Sequence, residues 1–122
     1  MDEKTTVAEL RALVRRFVDE RDWSRFHSPK NLAMSAAIEA AELMEHFQWI
    51  SMDDSRAAAN DPEKLARIGE ELADVLAYCL ALANQLDFDV SDILARKMEK
   101  NALKYPAEEY RGRFGPEDTG RG

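Results

Sequence analysis

Two apolar stretches, Leu32 to Trp49 and Leu65 to Leu86, each carry a pair of carboxylates three residues apart. The first pair is Glu39-Ala40-Ala41-Glu42 and the second is Glu71-Leu72-Ala73-Asp74. Residues three apart are neighbours on a helix, so each pair presents its oxygens in one direction. Asp74 runs directly into Val75-Leu76-Ala77-Tyr78-Cys79-Leu80-Ala81-Leu82-Ala83. An unpaired carboxylate inside such a setting is costly. The arrangement therefore restricts the fold to one in which the two helices turn their acids toward each other and toward a cation. Oxygen-only ligands point to Mg²⁺, or to Mn²⁺, as that cation.

The rest of the chain also reads as helix. Thr6-Val7-Ala8-Glu9 is a capping-box signature opening a first helix with the stripe Val7, Leu10, Leu13, Val14, Phe17, Val18. Ser28-Pro29 starts a second helix that is expected to reach about Trp49, and Asp61-Pro62 starts a third that runs to about Leu86. Between them, Ile50 to Asn60 reads as a polar loop. Asp89 or Ser91 caps a fourth helix running to about Lys104, where Tyr105-Pro106 ends it. No strand pattern and no Gly-rich phosphate loop is present. The expectation is an all-α, four-helix bundle-like domain over residues 1–111, followed by a disordered tail, 112–122.

Composition narrows the function. The net charge is −7 in 122 residues, which argues against a partner that is polymeric nucleic acid. No uncharged run of about twenty apolar residues exists, so no membrane span is expected. The N-terminus lacks a signal-peptide core, and the single cysteine, Cys79, allows no intrachain disulfide; Cys79 reads as a buried thiol in a cytoplasmic protein. The apolar character of the third helix on nearly every side calls for self-association, as a homodimer or tetramer.

Polar lines run along the two acid-bearing helices. Ser35, Glu39, Glu42 and His46 fall at offsets of four, three and four, and Arg67, Glu71, Asp74 and Tyr78 repeat them. Facing one another, they would form a polar pocket. Acid pairs three apart also decorate ordinary solvated helices, and an Arg67–Glu71 ion pair is the main structural rival. A di-iron site is poorly served, since neither pair has the Glu-x-x-His pattern. Zinc is disfavoured by the shortage of Cys and His. A second constellation is basic: Lys97, Asn101 and Lys104 share one face of the fourth helix and suit a polyphosphate. A third is aromatic: Trp23, Phe26 and His27 precede the second helix, and Phe47 and Trp49 end it. Flat side chains with polar tips suit a nucleobase. Trp23 and Trp49 flank a helix about 30 Å long. Either the loop carrying Trp23 folds back, or the two tryptophans of one site come from different subunits; the second option is preferred.

Taken together, Arg21-Asp22-Trp23, Phe26-His27, Pro29-Lys30-Asn31-Leu32, Glu39-x-x-Glu42, Phe47-Gln48-Trp49, Glu70-Glu71-Leu72-x-Asp74-Val75, Tyr78, Lys97-Met98-x-x-Asn101 and Lys104-Tyr105-Pro106 resemble the all-α nucleotide pyrophosphohydrolases of the MazG-like superfamily, most closely the dCTP pyrophosphatase branch. The resemblance implies Mg²⁺-dependent hydrolysis of a nucleoside triphosphate between its α and β phosphates, giving monophosphate and pyrophosphate. It assigns Glu39, Glu42, Glu71 and Asp74 to the metal and to catalysis. Trp23, Trp49 and Tyr78 would shape the base and sugar pocket. Lys97, Asn101 and Lys104 would contact the substrate, and His27, Lys30 and Asn31 match the same run. Ala40-Ala41 departs from relatives that carry glycine before the second Glu. The alternatives are a dUTP or phosphoribosyl-ATP hydrolase on the same scaffold, or a non-catalytic oligomerisation module.

Overall fold

The computed structural model describes residues 1–113, and among them every regular element is helical. Six α-helices follow in order: α1 (Val7–Glu20), α2 (Pro29–Glu45), α3 (Met52–Ala57), α4 (Pro62–Leu86), α5 (Val90–Lys104) and α6 (Ala107–Tyr110). Short 3₁₀ turns occupy Ser24–Phe26 and Ala58–Asn60. By packing, the chain divides into two compact units, Met1–Phe88 and the residues from Asp89 onward. Positions 114–122 of the tail expected from residue 112 lie outside the described residues.

Side-chain caps start the helices where the sequence places them. Thr6 Oγ1 accepts from the Glu9 N–H at 3.1 Å, and Ser28 Oγ accepts from the Asn31 N–H at 3.2 Å. Asp61 does the same for Lys64, with Pro62 in the first turn where a missing N–H costs nothing. Of the two candidates for the fourth start, Asp89 is the cap, accepting from the Asp92 N–H at 2.8 Å. Each such bond satisfies a backbone donor that the helix cannot.

Three departures from the expected elements have local causes. α2 stops at Glu45, four residues short of Trp49, in a series of turns in which Phe47 N–H bonds to Met44 O. The stretch expected as a polar loop contains α3, because Ser51 caps it through the Asp54 N–H at 3.0 Å and Asp53 and Asp54 favour its first turn. α6 follows Pro106 as one further helical turn.

In the first unit, α4 is the central element, packing chiefly on α2 and also on α1. A polar clamp ties α1 to the end of α4. Arg11 Nε donates to Asn84 Oδ1 at 2.9 Å, and Asn84 Nδ2 returns a bond to Arg11 O at 3.2 Å. α4 ends at Asp87, whose φ of 56° is left-handed and lets its N–H reach Ala83 O.

Among the described residues, few side chains are sealed within the chain: Val18, Leu32, Ala58, Ala81 and Ala83. Large apolar groups on α2 and α4 stay exposed, among them Met34, Ile38, Met44, Leu72 and Leu76. Cys79, expected to be buried, is exposed, because its offsets from Leu72 and Leu76 put it on the same outward face of α4.

Candidate active site

The two polar lines meet. Pairing of α2 with α4 is antiparallel, as residues near both ends show: Ser35 and Tyr78 line one cavity, while Glu39, Glu42 and Glu71 converge further along. One carboxylate oxygen from each of Glu39, Glu42 and Glu71 lies within 4.8 Å of the others. Asp74 stands outside this set but is close enough to repel both Glu39 and Glu71.

Among the described residues, no lysine or arginine forms an ion pair with the cluster. The Arg67–Glu71 ion pair is absent among the described residues, whose ion pairs all lie elsewhere. Oε2 of Glu39 and Oε2 of Glu71 are shut off from water without a hydrogen-bond partner, although each residue is only half-buried. Desolvation first, then the hydrogen bond and charge of Glu42, raise the Glu39 carboxyl above the usual 4.5. Desolvation also leads for Glu71, followed by the charge of Glu42, and His46 partly offsets the rise. Orphaned oxygens, mutual repulsion and an all-oxygen donor set are what a divalent cation would relieve. The cluster fits such an ion.

An aromatic cavity adjoins the acids. About 250 Å³ in volume, it is lined by Phe17, Trp23, His27, Asp74 and Tyr78 together with Val14, Val18, Ala77 and Ala81. Its outer wall forms because the chain reverses directly after α1. Asp22 takes a left-handed φ of 53°, and the Trp23 N–H bonds back to Val18 O at 3.0 Å. The Trp23 ring then meets Phe17 edge-on, with centroids 5.7 Å apart and planes at 76°. Arg21 backs the same ring, 3.8 Å above the Phe17 centroid. Trp23 and Asp74 thus line one cavity of one chain. The loop that carries Trp23 folds back onto the chain's own helices.

The other expected residues fall in three places. His27 and Tyr78 separate the aromatic cavity from a second one of about 360 Å³ that includes Phe26, Asn31, Met34, Ser35 and Ile38. Asn31 also holds the loop, donating from Nδ2 to Phe26 O at 3.0 Å. Lys30 and Trp49 are exposed and line none of the described cavities. Lys97, Asn101 and Lys104 lie on α5, in the second unit, where Asn101 is half-buried and the two lysines are exposed. Sequence reasoning missed Phe17 and Val14 as cavity walls, since both read as ordinary stripe residues of α1. It also missed a polar cavity of about 100 Å³ beside His27, lined in part by Arg15, Asp19, Ser24 and Gln85, residues whose proximity no local spacing reveals.

Comparison with known proteins identifies the family. Residues 34–113 match the MazG-like family model. The chain is 39% identical over 107 residues to dCTP pyrophosphatase 1 of Mus musculus, covering 88% of this chain and 63% of that protein. For dCTP pyrophosphatase 1 of Homo sapiens the identity is 38% over 102 residues, covering 84% and 60%. The chain therefore spans less than two thirds of the curated relatives' length. A crystal structure of a pyrophosphatase from Archaeoglobus fulgidus superposes with a TM-score of 0.73 at 42% identity, covering 81% of this chain and 91% of that one. With the acid pairs of α2 and α4 on facing helices and a family match across most of the chain, this protein belongs to the MazG-like family.

Proposed function

We propose that the chain is a nucleoside triphosphate pyrophosphohydrolase that depends on a divalent cation, with Mg²⁺ the favoured ion and Mn²⁺ a substitute. The observation that carries this reading is the convergence of three carboxylates, two with orphaned buried oxygens, beside a cavity walled by Trp23, Phe17 and Tyr78. An anionic ligand would be repelled by the acids alone, so the cation is required for binding as well as for chemistry. The resemblance to dCTP pyrophosphatases favours dCTP or a related pyrimidine nucleotide as substrate.

Glu39, Glu42, Glu71 and Asp74 would hold the ion. When bound, it supplies positive charge for the departing pyrophosphate and makes a water easier to deprotonate. The protein's own part is positional. The aromatic cavity takes the base, with Trp23 braced by Phe17 so that its ring is fixed before the ligand arrives. Tyr78 and His27, lining both cavities, stand where the sugar would pass. Glu39 and Glu42, side by side on α2, are the candidates to orient the attacking water and accept its proton. Lys97, Asn101 and Lys104 are assigned to the substrate on the resemblance and their shared face of α5; Lys30, Asn31 and Trp49 are assigned on the resemblance.

The exposed apolar faces support self-association, with a second copy of the chain as partner. Leu72, Leu76 and Cys79 on α4, and Met34, Ile38 and Met44 on α2, form stripes with no cover in the chain. A helix apolar on more than one side needs more than one partner.

The test is a nucleotide panel. dCTP, dUTP, the other triphosphates and phosphoribosyl-ATP are incubated with and without Mg²⁺, and products are resolved by chromatography. Pyrophosphate and monophosphate from dCTP, abolished by chelator, are the expected result. Preference for dUTP or phosphoribosyl-ATP would change the substrate and keep the site. No pyrophosphate from any of them would reject the reaction.

A further inference from the structure

No step of the proposed reaction uses the polar cavity of about 100 Å³ beside His27. It adjoins the aromatic cavity, since Val14, Val18, His27 and Ala81 line both. Residues of α4 give the order of the two. Asp74, Ala77, Tyr78 and Ala81 line the aromatic cavity, and Ala81, Asn84 and Gln85 line the polar one. Leading away from Glu71 and the acid cluster, the path passes aromatic walls first and polar walls after them. Arg15, Asp19, Ser24 and Gln85 make no side-chain hydrogen bond or ion pair among the described residues, whereas Asn84 is held by Arg11 at 2.9 Å.

Asp19 runs against the local rules of its helix. It lies in the last turn of α1, where negative charge is disfavoured, and no basic residue shares that turn. Arg15 and Arg16, at helix-neighbour spacing behind it, form no ion pair with it among the described residues. Its neighbour Glu20 does have a partner, Arg21 at 3.8 Å. Helix stability therefore gives no reason for a carboxylate at position 19, exposed at the rim of a cavity.

A pyrimidine seated against Trp23 and Phe17 would turn its faces to apolar walls. Its polar edge then needs partners, because a buried polar group left unpaired costs about 1–3 kcal/mol. The polar residues lining the aromatic cavity are His27, Asp74 and Tyr78, which the reaction assigns to the sugar and the ion. The polar cavity supplies what is missing. Its volume, equal to about three waters, suits an exocyclic group.

We propose that the polar cavity receives the hydrogen-bonding edge of the base and that Asp19 accepts from an exocyclic amino group there, so that Asp19 selects an amino- over a keto-pyrimidine. The proposal rests on the pyrophosphohydrolase reading above. The selection is one-sided. An ionised carboxylate offers only acceptors, so it pairs with the N4 amino group of cytosine and repels the O4 oxygen of uracil. Ser24 and Gln85 carry donors and acceptors alike and accommodate either base. A site built to hydrogen-bond one group rejects an analogue lacking it more strongly than an apolar wall can.

Asp19→Asn tests the proposal, because an amide of the same shape offers O4 a donor. Steady-state kcat/KM is measured with Mg²⁺ for dCTP and dUTP. The ratio should favour dCTP by at least about tenfold in the wild type and fall at least about tenfold in Asp19→Asn. Glu20→Gln, at an adjacent acid that lines none of the described cavities, should leave the ratio unchanged. Equal losses on both nucleotides would indicate a merely structural role and overturn the proposal, as would an unchanged ratio in Asp19→Asn. A wild type that prefers dUTP overturns it too, with the pyrophosphohydrolase reading intact. Isothermal calorimetry with dCMP and dUMP in Mg²⁺ reads the same preference without catalysis. Preference for dCMP that collapses in Asp19→Asn, in a protein that hydrolyses no triphosphate, would reject the reaction and support the role of Asp19. Binding of neither monophosphate overturns that role.

Discussion

Replacing Glu42 by glutamine is the most informative single perturbation of the acid cluster. Glu42 supplies the hydrogen bond and the leading charge repulsion that raise Glu39, and it does the same for Glu71 after desolvation. Two effects of opposite sign follow. Without metal, the change removes one of three carboxylates whose oxygens lie within 4.8 Å of one another, so the apo protein should melt at a higher temperature than wild type. The pH dependence has a definite sign. A carboxyl held above its usual 4.5 keeps its proton more tightly in the fold than in the unfolded chain. Folding is then favoured at low pH and penalised as pH rises through 4.5 and beyond. The advantage of the Glu42→Gln protein should therefore vanish below pH 4.5 and grow toward neutrality. With Mg²⁺ the order reverses, because the variant has lost a ligand. Metal affinity should fall at least tenfold, about 1.4 kcal/mol, and activity at least a hundredfold, about 2.7 kcal/mol in the barrier. Calorimetric melting across pH with and without Mg²⁺, and metal titration by isothermal calorimetry, read all of this. A variant less stable than wild type as apo protein, yet stabilised equally by Mg²⁺, would refute a repulsive cluster built to hold an ion.

Three further outcomes are expected. Trp23→Ala should raise KM for the nucleotide at least tenfold with a smaller effect on kcat, because the ring walls the cavity and supplies no oxygen to the acid cluster; steady-state kinetics with an unchanged KM would remove Trp23 from the base site. Asn84→Ala should cost about 1–2 kcal/mol in urea unfolding, since it removes both Asn84 bonds at the α1–α4 junction and leaves the half-buried Arg11 guanidinium only its 3.4 Å bond to Ala83 O; an unchanged midpoint would show that the clamp is dispensable. Leu76→Glu, on the exposed stripe of α4, should leave a monomer by light scattering at micromolar concentration, where the wild type is expected as a dimer or larger; a wild-type monomer would sink the self-association proposal.

Much of this protein is legible along the chain because helices repeat on a short period. Caps such as Thr6, Ser28 and Asp61, and prolines at 29 and 62, act within three or four residues, so local reading places most helix starts. The offsets of Glu39, Glu42, Glu71 and Asp74 likewise define faces without any tertiary information. Where local signals were weak, local reading lapsed: α3 hid in a stretch rich in small and polar residues, and α2 ended before Trp49.

Only tertiary packing decided the rest. That Glu39, Glu42 and Glu71 converge while Asp74 stands beside them depends on the register of α2 against α4, set by side chains from two distant segments. Trp23 joined the cavity of its own Asp74 because a left-handed Asp22 turned the chain, and a single backbone angle of that kind is not announced by the residue type. Cys79 read as core in the apolar run that also holds the exposed Leu76. Their exposure follows from geometry: α4 has two apolar sides, and the neighbours within one chain cover only one of them.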